Sequence, residues 1–127
     1  MSDFDKYADL IGRPFEIGGR GPDVYDCYGL AMEVARRNGV RLPAKTSISS
    51  IEKMAEVIAR EKSDYEECKC EPLCGVAFHI MGPDATHIGV VLEDGLHFIH
   101  TMTKAAVSIQ RLSEWQHRID GFFRYVG

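Results

Sequence analysis

At 127 residues the chain fits one domain, spanning 1–127, and is long enough to hold a core without disulfide or metal staples. A net charge of −4 leaves no basic excess to neutralise phosphates, which argues against nucleic acid as the main partner. No run approaches the roughly 18 apolar residues that a membrane-spanning helix needs.

The opening stretch MSDFDKYADLIG is acidic and lacks the basic-then-apolar pattern of a secretion signal. The expectation is synthesis in the cytoplasm with no export signal of its own. Residues 3–11 have the apolar spacing of a short helix. Gly12, Pro14, Gly18, Gly19, Gly21 and Pro22 then make an irregular approach to a cysteine. From Cys27 to Asn38 the pattern is helical, with Cys27, Leu30, Ala31 and Val34 on one face. Arg36, Arg37 and Asn38 followed by Gly39 supply its stop.

A second helix is predicted over about 50–62, with Ile51, Met54, Ala55 and Ile58 on one face. Residues 63–72 are polar and acidic and read as loop. Strands follow at about 74–81, 87–92, 96–101, 106–111 and 120–126, with a helical turn at LSEWQHRI. Helices first and strands afterwards predict an α+β domain with an antiparallel sheet.

Cys27 stands at the first turn of its helix. Unpaired backbone N–H groups and the positive end of the dipole favour a thiolate there, so a lowered thiol pKa is expected. The glycines before it let backbone approach closely. Free cysteine is also among the most buried residue types, and Cys27 lies on the apolar face. A nucleophilic thiol needs a base, usually histidine, and a third group to orient that base.

The histidines are His79, His87, His97, His100 and His117. In THIGVVLEDGLHFIHTM, Asp94-Gly95 is a hairpin signal. A two-residue turn sets Glu93 opposite Leu96 and Gly89 opposite His100. His87 then lies diagonally from His100 on the same face, and His97 points to the other. A three-residue loop pairs His87 with His97 instead. The Asp-Gly turn favours the first arrangement, and Gly89 leaves room beside the pair.

Cys68, Cys70 and Cys74 are crowded near His79, a set with the donors for tetrahedral zinc. Their C-x-C-x₃-C spacing lacks the usual two-residue gap, and no metal or other cofactor is expected.

Taken in order, these motifs resemble the NlpC/P60 family of papain-like cysteine peptidases, which cut peptidoglycan stem peptides. The resemblance runs from Leu10 to about Thr101. It rests on Gly18, Gly19, Asp26, Cys27, Gly29 and Leu30, then His87-Ile88-Gly89, then Phe98-Ile99-His100. It implies a papain-like fold with N-terminal helices packed on the sheet. It implies Cys27 as nucleophile, His87 as base and His100 as the orienting residue, acting through a thioester acyl-enzyme. It implies substrate contacts at Phe15, Asp26, Tyr28 and Thr86.

The stretch around Gly-Pro-Asp and the ending LSEWQHRIDGFFRYVG resemble small members from phages and prophages. That implies phage tail proteins as partners and a virion location. Three features depart from the family pattern: Phe15 in place of tyrosine, Tyr28 in place of serine, and Leu73-Cys74-Gly75 in place of Gly-Asp. The alternative reading is a tail-assembly or wall-binding module that keeps the fold without the chemistry.

Overall fold

A six-stranded sheet carries the fold, in the order β1-β6-β2-β3-β4-β5. The computed structural model describes residues 3–16, 18–42, 65–79, 87–102 and 105–126. A 3₁₀ helix, Asp3–Leu10, and helix α1, Cys27–Arg37, precede the strands. The strands are β1 (Tyr65–Cys68), β2 (Gly75–Phe78), β3 (His87–Val91), β4 (His97–His100), β5 (Ser108–Arg111) and β6 (Ile119–Tyr125). A short helix, Leu112–Trp115, and a 3₁₀ turn, Gln116–Arg118, join β5 to β6. All pairings are antiparallel, so the α+β class and the antiparallel sheet stand as expected. The expected helix at 50–62 lies outside the described residues.

Strand alternation divides the core into two faces. Val90, Leu92 and Ile99 pack against Leu30, Ala31 and Val34 of α1 and against Tyr7 and Leu10 of the N-terminal 3₁₀ helix. Val91 and Phe98 point the other way, to Val76, Phe78 and Leu112, with Trp115 packed against them. The predicted helix stripe is therefore the buried one. Full burial of a side chain such as Leu30 or Val34 stabilises the fold by about 1.5–3 kcal/mol.

Polar contacts tie the two N-terminal elements together. Arg37 forms two parallel hydrogen bonds to the Asp9 carboxylate, at 2.6 and 2.8 Å. Tyr7 donates to Glu93 at 2.8 Å and accepts from Asn38 at 3.0 Å. Asn38 also closes α1, and Gly39 follows in the left-handed region at φ 78°.

One expectation is overturned. Residues 65–68, read as loop, form β1, paired to β6 from Tyr65 opposite Tyr125 to Cys68 opposite Phe122. An edge strand need not bury a face, so Tyr-Glu-Glu-Cys shows no apolar alternation. Backbone pairing and the Glu66–Arg124 ion pair hold it instead.

Candidate active site

The glycine-rich approach to Cys27 is packed backbone on backbone. Asp26 N–H donates to the Gly19 carbonyl at 3.0 Å. A Cβ at Gly29 would sit 2.1 Å from that same carbonyl oxygen. A Cβ at Gly19 would come within 2.9 Å of the Tyr25 backbone. Glycine is required at both places because no side chain fits between the loop and the first turn of α1. The glycines thus pack closely against the helix start, and Cys27, the first residue of α1, is only 7% exposed.

Asp26 fixes where the helix begins. Its Oδ1 accepts from Gly29 N–H at 2.6 Å, a side-chain N-cap. Its Oδ2 accepts from Arg20 Nη1 at 2.6 Å and from Gly18 N–H at 3.2 Å. The carboxylate is 2% exposed, and the Arg20 guanidinium offsets the cost of burying it. Arg20 also lies 5.8 Å from the centre of the Tyr28 ring. Asp26 therefore holds Arg20 and the helix start in place. Sequence reasoning did not single out Arg20. Its signal is a lone cation between the glycines, six residues before a buried acid.

Burial pushes the Cys27 thiol up to about 12, and the Asp26 carboxylate adds to the rise. The N–H groups of Ile88, Cys27 and Tyr28 pull the other way and are outweighed. The lowered pKa expected from the helix terminus is overturned, because desolvation dominates the dipole here. Cys27 rests as a thiol. It shares an apolar cluster with Tyr28, against which Ile88 and Met32 pack. Ile88 is the residue next to His87, so Cys27 meets the histidine strand at Ile88, whose side chain is turned by strand alternation to the face opposite that of His87.

The histidines are set by the β3–β4 register. Val90 pairs with Ile99 and Val91 with Phe98, the register expected from the sequence. The turn that produces it is longer than the expected two residues. Leu92 pairs with His97 through a 2.8 Å hydrogen bond, and Gly95 N–H donates to Leu92 at 2.9 Å. Gly95 takes φ 71°, and Asp94 Oδ1 accepts from the N–H groups of Leu96 and His97. Both turns give one register, so the side chains fall on the same faces.

His87 Nε2 and His100 Nδ1 lie 2.8 Å apart, both residues buried. The other nitrogen of His100, Nε2, bonds Gln110 Oε1 on β5. Phe78 lies beside both rings, and Phe98 and Trp115 pack around His100. Burial, then the neighbouring His100, pushes His87 down to about 3. Burial also lowers His100, against the opposing hydrogen bond from Gln110. Both imidazoles are neutral at pH 7. His87 Nδ1 makes no hydrogen bond among the described residues, which leaves that nitrogen able to accept a proton. A Cβ at Gly89 would lie 3.2 Å from His100 Cβ and 3.0 Å from the Ile99 carbonyl, so the pair needs glycine beside it.

The structure brings His87 to His100, and Cys27 to Tyr28 and Ile88. Phe15 is half-buried and bridges Tyr25, two residues before Cys27. Thr86 lies outside the described residues. His97 pairs with Asp94, and His79 with Asp120, so neither joins the buried pair. Cys74 is buried and Cys70 exposed, and the described residues contain no group of three His, Cys, Asp or Glu able to hold a metal ion. The Thr101 hydroxyl is buried with no hydrogen-bond partner among the described residues. Gln110 also escaped sequence reasoning. The segment TMTKAAV carries no turn signal to fix the β4–β5 register, without which SIQR gives no sign of reaching His100.

The model of the NlpC/P60 family matches residues 12–124 of the chain. Comparison with curated protein sequences gives no significant match. Among solved structures, the fold is similar to a protein of Staphylococcus aureus Mu50 described as similar to lipoprotein, NLP/P60 family. That match has TM-score 0.63 and 23% identity, over 98% of this chain and 40% of the other. NlpC1 of Trichomonas vaginalis matches with TM-score 0.63 and 19% identity, over 97% of this chain and 42% of that one. The NlpC/p60 domain of the peptidoglycan hydrolase SagA matches with TM-score 0.62 and 17% identity, over 98% of this chain and 96% of that domain. The chain thus spans about 40% of the length of the first two and nearly all of the third. These likenesses make the fold papain-like, and with a family model covering nearly its whole length the chain belongs to the NlpC/P60 family.

Proposed function

We propose that this chain is a cysteine peptidase that hydrolyses amide bonds in peptidoglycan stem peptides. The observation that carries the reading is the buried His87–His100 hydrogen bond on the strand whose next residue, Ile88, packs on Cys27. Family membership and the likeness to the domain of a peptidoglycan hydrolase support the substrate class.

In this mechanism Cys27 is the nucleophile, His87 the base and His100 the residue that orients His87. The resting pair is neutral thiol and neutral imidazole, so proton transfer accompanies attack. The Cys27 S–H proton passes to His87 Nδ1 as sulfur bonds the amide carbon. In this reading the N–H groups of Cys27 and Tyr28, at the first turn of α1, donate to the developing oxyanion, while that of Gly29 stays with the Asp26 cap. His87 then returns the proton to the leaving amine, and the C–N bond breaks to give a thioester. Water, losing a proton to His87, attacks the thioester; the acid leaves and the thiol re-forms.

Tyr28 beside Cys27, Phe15 at the approach and Thr86 before β3 contact the substrate in this reading, and Asp26 acts on it through Arg20. The resemblance of the C-terminal segment supports delivery by a phage or prophage tail.

The test is digestion of purified peptidoglycan and synthetic stem peptides, with mass spectrometry for the acyl-enzyme. Wild-type protein releases new amino termini and traps a thioester on Cys27, and Cys27→Ala does neither. A folded wild-type protein that cuts no stem peptide and traps no adduct overturns the reading. The raised Cys27 pKa and Phe15, which lacks a hydroxyl, favour a second reading, a wall-binding module without turnover. Binding of intact peptidoglycan without cleavage is its signature.

A further inference from the structure

We propose that Gln110 sets the direction of the proton chain through His100 and His87, and so makes His87 Nδ1 the basic nitrogen. The catalytic consequence rests on the peptidase reading; the tautomer assignment does not.

The argument is a count of protons. A neutral imidazole carries one N–H, on either nitrogen. The Gln110 atom at His100 Nε2 is the carboxamide oxygen, which only accepts. The proton of His100 therefore sits on Nε2, and its Nδ1 is bare. Nδ1 of His100 is the atom 2.8 Å from His87 Nε2, so His87 Nε2 must carry the proton it donates. His87 has then used its single N–H, and its Nδ1 is bare. Reversing the chain would place the proton on His87 Nδ1, where it could take none from a thiol.

The fold makes this placement possible. Gln110 pairs with Phe98 in the β4–β5 register, which puts its side chain on the sheet face of His100. β4 and β5 connect the three groups sideways across the sheet, from β3 to the edge strand. A neutral amide also suits the site. It fixes direction without adding a negative charge beside two desolvated rings. When His87 takes the thiol proton, the positive charge rests on His87. Its Nε2–H still donates to His100, and His100 keeps its own proton on Nε2, donated to Gln110 Oε1. No further proton moves. Gln110 is a positioning residue, acting through His100.

The experiment is imidazole ¹⁵N NMR on wild-type protein, Gln110→Leu and Gln110→Glu, with stem-peptide kinetics on each. The expected wild-type spectrum shows His87 and His100 both protonated at Nε2. Gln110→Glu keeps an acceptor and keeps that pattern. Gln110→Leu loses the acceptor, moves both rings towards mixed tautomers and lowers kcat about tenfold or more, with KM little changed. A wild-type spectrum with the proton on His87 Nδ1 overturns the proposal, as does a folded Gln110→Leu protein with unaltered tautomers. If Gln110→Leu fails to fold, loss of the Nε2-protonated pattern in Gln110→Glu overturns it and retention supports it. A wild-type protein with the expected tautomers and no hydrolysis defeats the peptidase reading and leaves the Gln110 assignment standing.

Discussion

His87 Nε2 and His100 Nδ1 share a hydrogen bond of 2.8 Å, within an apolar surround that keeps both rings uncharged. Such a pair has a thermodynamic cost in acid. His87 titrates near 6.5 when unfolded and about 3 when folded. Between those values the unfolded chain binds more protons, so stability rises with pH across the window and is lost as pH falls through it. The loss is about 1.4 kcal/mol per pH unit where His87 alone is unsatisfied. His100 is shifted in the same direction and deepens it. Asp9, lowered to about 2 by Arg37, has the same sign but acts only below about pH 4. Denaturant titrations from pH 7 to 4 should show the decline, and His87→Gln should flatten it. A midpoint independent of pH over that range would defeat the neutral-pair description.

The raised thiol pKa makes Cys27 a slow target in the free protein. Below pH 8 the exposed Cys70 should react with iodoacetamide before Cys27, because thiolate fraction and access both favour it. Peptide mass spectrometry resolves the sites. Fast, selective labelling of Cys27 below pH 7 would mean that the resting state is a thiolate–imidazolium pair instead. Catalysis would then begin from a charged dyad rather than by proton transfer during attack.

Much of this site was legible in the sequence because its signals are local. The Cys27-Leu30-Ala31-Val34 stripe identifies the buried face of α1 from spacing alone. The hairpin register was reachable because the Asp94-Gly95 segment fixes it under either turn. What was not legible depends on burial or on distant pairing. The helix terminus at Cys27 is visible in the chain, but the burial of the thiol, in part against Ile88 from a distant strand, is a tertiary fact, and it reverses the sign of the pKa shift. β1 was missed because an edge strand held by β6 carries no alternation. Gln110 was missed because TMTKAAV carries no turn signal to fix the register that brings it to His100.

The glycines packed at the start of α1 should differ sharply from Gly75 in the sheet. Gly29→Ala sets a Cβ 2.1 Å from the Gly19 carbonyl, so two backbones must separate and the Asp26 cap is disturbed. A loss of about 1–3 kcal/mol is expected, with α1 displaced at Cys27. Gly75→Ala meets only ordinary contacts, at 3.5 Å from the Phe123 carbonyl and 3.9 Å from that of Gly89. It should be neutral or stabilise by up to about 1 kcal/mol, since alanine reduces the freedom of the unfolded chain. Thermal denaturation of the two variants decides the matter. Equal losses would mean that the loop over α1 is not tightly seated.

Thr101 follows His100 directly and buries its hydroxyl without a partner among the described residues. Continuing the β3–β4 register sets it opposite Ile88, which packs against Cys27. Thr101→Val keeps the shape and removes the orphaned group, so it should be neutral or stabilising by about 1–3 kcal/mol. If the hydroxyl has no role with substrate, hydrolysis by the variant will match wild type. A more stable variant with a raised KM would assign the hydroxyl to substrate, since such a group gains its partner only on binding. A destabilised variant would instead reveal a hydrogen bond made in the free protein, and the description of Thr101 as unpaired would be wrong.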